Sequence, residues 1–174
     1  NATVQGQIYS VQLAENEIPG IEELGIPNYK SLHDIPEHID LVIVAVPRAV
    51  APAILEQAIQ VGAGAVTFYT AGFAETGTEE GIRLQNLLTD MAMKARMRVV
   101  GPNCLGLYNP RAGIRSALEQ SLDPEGSVGF IGQSGNFTNN FTMVGHAHGI
   151  KISKAASFGN GITVDSTDYL NYLG

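Results

Sequence analysis

The sequence predicts an α/β fold, a doubly wound parallel sheet with helices on both faces. Apolar strand patterns alternate with helical patterns along the chain, and such alternation is typical of parallel sheets. The run Leu41–Val46 is apolar at every position, as a strand buried on both faces requires. Glycine or proline follows most of these segments and marks the turns between them.

The first part of the chain contains the elements of such a sheet in order. The predicted strands are 7–11, 41–46, 65–69 and 97–100. The predicted helical segments are a turn over 31–35, a helix over 49–61 and a helix with Leu84, Leu87, Leu88, Met91 and Ala95 on one face. Thr76, with Glu79 three residues later, forms a capping-box pattern that is predicted to begin the last of these helices.

A second region begins after the pattern breaks between 111 and 125. Its predicted elements are a strand over 127–131, a helix from a Ser134 cap to about 148, a strand over 152–157 and a helix from 164. We therefore expect a first domain at 1–122, a linker at 123–126 and the beginning of a second domain at 127–174. Two strand–helix units are too few for a two-sided sheet, so we expect the rest of that domain to lie in a longer protein.

Composition narrows the class of protein. Lys and Arg number 10 against 17 Asp and Glu, a net charge of −7, which disfavours nucleic-acid and membrane-surface binders because phosphate neutralisation needs clustered cations. The longest apolar run, Leu41–Val46, is far shorter than the ~20 residues of a membrane helix. The single cysteine, Cys104, fits a reducing compartment, so we expect a cytoplasmic protein.

Ligands of open parallel sheets bind beyond the carboxyl ends of the strands. Four segments follow predicted strands there, namely 46–48, 70–75, 101–106 and 132–136. Each contains small or polar residues that suit a ligand, although each also suits a tight strand-to-helix turn. Gly101-Pro102-Asn103 departs most from a simple turn, because proline makes it rigid and asparagine offers both a donor and an acceptor.

Several single residues allow two interpretations. Ser134 with Gly135 forms either an anion cradle at a helix N-terminus or only a helix cap. Arg48 meets a phosphate or lies on the surface in water. Cys104 has no base near it in the sequence, which favours a small, partly buried thiol over a nucleophile.

The four histidines do not predict a metal site. His33 and His38 lie in polar turns, and the spacing of His146 and His148 puts them on different faces of a helix. We therefore expect no metal. The sequence also contains neither a G-x-x-x-x-G-K-[ST] loop nor a G-x-G-x-x-G turn after a first strand.

Taken together, the turns resemble one family. The segments 29–36, 40–47, 71–77, 100–106, 133–135 and 157–160 occur in this order. The series resembles the CoA-binding region of NDP-forming acyl-CoA synthetases, the group that contains ADP-forming acetate–CoA ligase and the succinyl-CoA synthetase α-subunit. The resemblance runs from about Gly6 to Gly174.

The resemblance implies a Rossmann-like CoA-binding domain without its first strand, followed by the start of a flavodoxin-like domain. The family interconverts acyl-CoA, ADP and phosphate with acid, CoA and ATP through a phosphorylated histidine. The implied CoA-binding residues are Val46, Pro47, Arg48, Thr70, Ala71, Gly72, Phe73, Pro102, Asn103 and Cys104. The implied phosphate-binding residues are Gln133, Ser134, Gly135, Asn136, Gly159 and Asn160.

Three departures from the family limit this expectation. A Gly-rich opening turn is not found, Val11-Gln12-Leu13 stands where the family has Val-Asn-Pro, and no histidine matches the phosphorylated one. We therefore expect no catalytic residue in this chain and no turnover by it alone. ATP or ADP and Mg²⁺ would bind through a nucleotide-grasping domain or β-subunit, with a small carboxylic acid as co-substrate and an oligomer as the assembly.

Two other functions stay open. One is a non-catalytic CoA-binding regulatory module, for example fused to an acetyltransferase. The other is an NAD-dependent Rossmann oxidoreductase, against which stands the lack of a glycine fingerprint followed by an acidic residue about 20 positions later.

Overall fold

A computed structural model describes residue 4 and residues 6–123 and 126–173. It confirms the α/β prediction. The strands of the described part are β1 (Ser10–Val11), β2 (Asn28–Tyr29), β3 (Leu41–Val44), β4 (Ala65–Phe68), β5 (Arg98–Val100), β6 (Gly106–Tyr108), β7 (Val128–Gly132) and β8 (Ile152–Ser157). The helices are α1 (Ile18–Glu23), α2 (Ala51–Gln60), α3 (Glu79–Ala95), α4 (Gly135–Ala147) and α5 (Ser166–Leu173), with short 3₁₀ turns at Leu32–Asp34 and Ala74–Thr76.

The first region contains a parallel sheet in the order β3-β4-β5. A separate two-stranded parallel sheet, β1-β2, precedes it in the sequence. Val44 pairs with Phe68 in the register of β3 and β4. Both side chains join the core that Leu55 of α2 and Leu88 of α3 complete. Burial of this apolar face, at roughly 25 cal/mol per Å², is the main stabilising term of the region.

Strand β3 is less buried than predicted. Its neighbour β4 is covered on both faces, since Val66, Thr67 and Phe68 are all buried. In β3, by contrast, Ile43 is 53% exposed. The reason is position: β3 lies at one edge of this sheet, and no described segment covers the face that carries Ile43. The apolar run therefore predicted the strand correctly, but the prediction that the strand is buried on both faces is wrong.

The second sheet has the order β6-β8-β7. Strands β7 and β8 are parallel, whereas β6 runs antiparallel to β8, which corrects the expectation of a purely parallel arrangement. The hydroxyl of Tyr108 in β6 donates to the carbonyl of Ser121 at 2.7 Å and ties the following loop to this sheet. The predicted linker includes Pro124 and Glu125, which lie outside the described residues, so the domain division stays a prediction.

The helix caps agree with one prediction and correct another. Ser134 caps α4, since its side chain accepts from the N–H of Phe137 at 3.3 Å. Helix α3 is capped by Thr78, which accepts from Gly81, and not by Thr76. Thr76 is held in the preceding 3₁₀ turn, where its hydroxyl donates to the carbonyl of Phe73 at 2.8 Å.

Across the described ranges, every helix is too short or too polar to cross a bilayer.

Candidate functional site

The loops that follow β3, β4 and β5 meet at one edge of the first sheet. The hydroxyl of Thr70 donates to the carbonyl of Val46 at 2.7 Å. The backbone N–H of Asn103 donates to the carbonyl of Thr70 at 2.9 Å. The guanidinium of Arg48 donates to the carbonyl of Gly72. The three predicted segments thus lie together, as the carboxyl ends of parallel strands require.

The Gly101-Pro102-Asn103 turn has a backbone that few residues can adopt. Gly101 has φ +100°, and a Cβ there would lie 2.7 Å from the carbonyl oxygen of Phe68. Its peptide bond to Pro102 is cis, and Pro102 is buried. Asn103 has φ +58° in the left-handed region, which asparagine tolerates better than most residues. The turn therefore presents the half-buried amide of Asn103 from a fixed backbone.

The N-terminus of α4 lies beside this turn. A Cβ on Gly135 would approach Cβ of Leu105 to 3.0 Å, so glycine allows the helix start to sit close to the turn. Gln133, Ser134 and Asn136 are exposed there. The first N–H groups of a helix have no acceptor within it and carry the positive end of its dipole. This end of α4 can therefore hold an anion.

The loop after β8 connects the start of α4 to the Gly101-Pro102-Asn103 turn. The N–H of Gly159 donates to the carbonyl of Gln133 at 3.2 Å, and the N–H of Asn160 donates to the carbonyl of Pro102 at 2.9 Å. Gly159 is buried with φ +55°, and a Cβ there would clash with the carbonyls of Pro102 and Asn103. Only glycine fits this crossing.

These loops enclose a cleft of about 610 Å³. Its lining residues are Tyr69, Glu75, Asn103, Cys104, Leu105, Gln133, Ser134, Gly135, Asn136, Gly159 and Asn160. All six predicted phosphate-binding residues line it, together with two of the predicted CoA-binding residues, Asn103 and Cys104.

The other predicted CoA-binding residues lie outside this lining. Val46, Arg48 and Thr70 are half-buried on the adjoining loops, Gly72 contacts Arg48, and Pro47 and Ala71 are exposed. Phe73 is fully buried in the core, and Pro102 is buried beneath the Asn103 turn, so both offer a ligand only backbone atoms.

Glu75 is the main residue of the cleft that the sequence did not identify as a site residue. Its carboxylate accepts from the N–H of Gly72 at 2.5 Å, from the N–H of Phe73 at 3.1 Å and from the side-chain amide of Asn160 at 2.6 Å. Partial burial raises the pKa of Glu75, but the hydrogen bonds from Asn160 and the loop N–H groups outweigh it, so the pKa lies below its usual value. Glu75 is therefore ionised at neutral pH.

Cys104 is not an activated thiol. Burial raises its pKa to about 11, and its sulfur lies 3.4 Å from the carbonyl oxygen of Phe68. A thiol with this pKa is protonated at neutral pH and is a poor nucleophile. This agrees with the interpretation of Cys104 as a small, partly buried side chain.

The histidines lie away from the cleft. His33 and His38 are exposed, and His146 lies with Nε2 3.0 Å from Oδ2 of Asp123. Within 6–123 and 126–173, the structure contains no group of three side chains that could hold a metal ion.

Two family matches divide the chain. Residues 2–110, more than half of the chain, match the family described as the CoA binding domain. Residues 125–174 match the family described as the succinyl-CoA ligase like flavodoxin domain.

Similar proteins extend this finding over nearly the whole length. The ADP-forming acetate–CoA ligase of Methanocaldococcus jannaschii is 34% identical, over 97% of this chain and 23% of that protein. Subunit alpha of the ADP-forming acetate–CoA ligase II of Pyrococcus furiosus is 35% identical, over 97% of this chain and 35% of that protein. The chain thus spans about a quarter to a third of the length of these relatives.

A solved structure supports the same fold. The dinucleotide forming acetyl-coenzyme A synthetase 1 of Ca. Korarchaeum cryptofilum, in complex with phosphate and ADP, superimposes with a TM-score of 0.85 at 25% identity. The match covers 99% of this chain and 35% of that chain.

Proposed function

Because this chain belongs to the CoA-binding domain family and is similar along its length to ADP-forming acetate–CoA ligases, we propose that it is the CoA-binding portion of an ADP-forming acyl-CoA synthetase. The complete enzyme would interconvert acid, CoA and ATP with acyl-CoA, ADP and phosphate. In that reaction this chain would hold CoA and orient it toward an acyl phosphate.

CoA would bind along the three converging loops after β3, β4 and β5. Arg48 suits the phosphates of the carrier, since a cation stabilises anionic oxygens. The amide of Asn103, at the inner end of these loops, would meet the pantetheine arm or its thiol. The fully buried side chains of Phe73 and Pro102 would hold these loops in place from below.

A phosphoryl group would bind at the N-terminus of α4. The cap by Ser134 holds the first turn of α4, and Gly135 and Asn136, whose N–H groups belong to that turn, line the cleft. Anion binding here is favoured by the positive end of the helix dipole. This helix start, formed by Ser134, Gly135 and Asn136, is the proposed phosphoryl cradle, and it lines the same cleft as Asn103. Transfer between an acyl phosphate and a thiol would need the two groups this close together.

The remaining parts of the reaction would come from elsewhere in the enzyme. None of the four histidines lines the cleft, so the phosphorylated histidine would be supplied by another segment. A nucleotide-grasping domain or β-subunit would bind ATP or ADP with Mg²⁺, a small carboxylic acid would be the co-substrate, and the enzyme would be an oligomer. We also propose a cytoplasmic location, which the single thiol suits.

One observation carries the proposal: Asn103 and the Ser134-capped start of α4 line one cleft. Calorimetric titration tests it, with CoA, desulfo-CoA and NAD added in turn to the 174-residue chain. We expect binding of CoA and of desulfo-CoA and no heat from NAD. Binding of NAD without a response to CoA would contradict the proposal.

A further inference from the structure

We propose that Glu75 is a positioning residue for the ligand: acting through Asn160, it turns the side-chain amide of Asn103 so that the carbonyl oxygen faces the cleft. The inference rests on the proposed function and deepens it, because it names the chemistry of the CoA group that Asn103 meets. That group is a hydrogen-bond donor.

The first step is the carboxylate of Glu75. One oxygen accepts from the N–H groups of Gly72 and Phe73, and the other faces Asn160. An ionised carboxylate only accepts hydrogen bonds. The Asn160 atom that lies 2.6 Å from it must therefore be the amide nitrogen.

Gln85 of α3 fixes the same end of Asn160 independently. The N–H of Ala74 lies 3.4 Å from the side chain of Gln85, so the Gln85 atom at that position is its carbonyl oxygen. This oxygen also accepts from the side-chain nitrogen of Asn160 at 2.7 Å. Both N–H bonds of Asn160 are thus directed to acceptors, and its carbonyl oxygen is turned toward Asn103.

The orientation of Asn103 follows. Its side-chain nitrogen donates to the carbonyl oxygen of Asn160 at 3.4 Å. The carbonyl oxygen of Asn103 then has no partner within the described residues, and Asn103 lines the cleft. The site therefore offers an acceptor at this point. CoA has two kinds of donor that match it, the amide N–H groups of the pantetheine arm and the thiol.

The two possible effects of Glu75 have opposite signs. If Glu75 acted only as a negative charge in an anion-binding cleft, its removal would strengthen CoA binding. If it positions Asn103, the neutral isostere weakens binding. In Glu75→Gln, the amide oxygen keeps the N–H groups of Gly72 and Phe73, and the amide nitrogen then faces the nitrogen of Asn160. Two donors meet, and Asn160 loses its orientation.

The experiment is a double-mutant cycle of CoA affinity, measured by calorimetry on the full chain with Glu75→Gln, Asn103→Ala and the double variant. We expect Glu75→Gln to weaken CoA binding about five- to tenfold alone and to have no further effect in the Asn103→Ala background. Glu56→Gln, which removes one charge from the exposed face of α2, is the matched control and should leave the affinity unchanged.

Two further measurements guard against a loss that comes only from misfolding. Asn160→Asp keeps an oxygen toward Asn103 but places a carboxylate against Glu75, and it should weaken binding to a similar extent. The side-chain NH₂ signals of Asn103 in a ¹⁵N–¹H spectrum should shift in Glu75→Gln while most backbone signals stay in place.

Titration with desulfo-CoA identifies the donor that Asn103 meets. If Glu75→Gln still weakens binding of desulfo-CoA, the donor is a pantetheine amide. If Glu75→Gln no longer weakens binding, the donor is the thiol.

The inference is overturned if Glu75→Gln binds CoA more tightly, or if its effect is equal with and without Asn103. It is also overturned if Asn103→Ala leaves the affinity unchanged. A wild-type chain that does not bind CoA is a different result, because it contradicts the proposed function before Glu75 is tested.

Discussion

The two regions that form the cleft are held together in different ways. The sheet β3-β4-β5 stands on a packed core in which Leu55, Phe68 and Leu88 are fully buried. The sheet β6-β8-β7 has a much smaller core around Tyr108, Ile152 and Ala155. Its helices expose large apolar side chains, among them Phe137 at 64% and Tyr172 at 71%.

This difference shows what positions each half of the site. The proposed CoA loops rest on a core that supports them directly. The α4 cradle depends instead on hydrogen bonds that the neighbouring loop after β8 makes to the first region. In this loop, the N–H of Asn160 donates to the carbonyl of Pro102, and the N–H of Ile162 donates to the carbonyl of Gly101 at 3.2 Å. The side chain of Thr163 adds a bond from the N–H of Val99 at 2.8 Å. Disturbing the contact between the regions should therefore affect the cradle more than the CoA loops.

The largest expected effect compares the two cores. Phe68→Ala should lower the free energy of unfolding by about 3–5 kcal/mol, because it opens a cavity in a fully buried site. Phe141→Ala removes a half-buried ring stacked on Phe130 at 4.2 Å and should cost only about 1–2 kcal/mol. Urea denaturation measures both. Equal losses would show that the second core is as important as the first.

The next effect tests the close approach of Gly159, in the second region, to Pro102 and Asn103 of the first region. Gly159→Ala should destabilise the chain by about 2–4 kcal/mol, because it adds left-handed strain to a clash with the carbonyls of Pro102 and Asn103. Gly149→Ala is the control, since Gly149 also has positive φ but has open space around its Cβ position. It should cost about 1–2 kcal/mol, from backbone strain alone. If the two variants unfold at the same urea concentration, the close approach at Gly159 does not matter.

A smaller effect concerns the CoA side alone. Asn103→Ala should weaken CoA binding by about 1–3 kcal/mol, because one hydrogen bond to the ligand is lost in a partly buried cleft. Asn140→Ala removes the same amide from an exposed position on α4 and should not change the affinity. Calorimetry on folded variants gives both values. Unchanged affinity in Asn103→Ala would make the Gly-Pro-Asn turn purely structural.

Much of the fold follows from local patterns. The strand predicted at 152–157 has the observed bounds, and the cap by Ser134 is confirmed, because both depend on neighbouring residues. Helix α1 escaped prediction since Pro19 and Gly20 lie within its six residues and both are poor helix formers. Strand β6 escaped because three residues carry little pattern and its partner β8 lies about fifty positions away.

The site shows the same limit. The loops after β3, β4 and β5 were predicted because the carboxyl ends of parallel strands meet in any such sheet. Glu75 lies within the predicted segment 70–75, but no local pattern distinguishes it from the other residues of that segment. Its contact with Asn160 joins residues 85 positions apart, and no local spacing reports such a pair.

The smallest expected effect compares the caps of the two regions. Ser134→Ala and Thr78→Ala each remove one cap hydrogen bond and should each lower the free energy of unfolding by about 1 kcal/mol. Only Ser134 lies on the proposed phosphoryl cradle. Added phosphate should therefore raise the melting temperature of the wild type and of Thr78→Ala, and raise it less in Ser134→Ala. If phosphate protects the two variants equally, the start of α4 is a capped helix and nothing more, and the cradle must lie elsewhere in the enzyme.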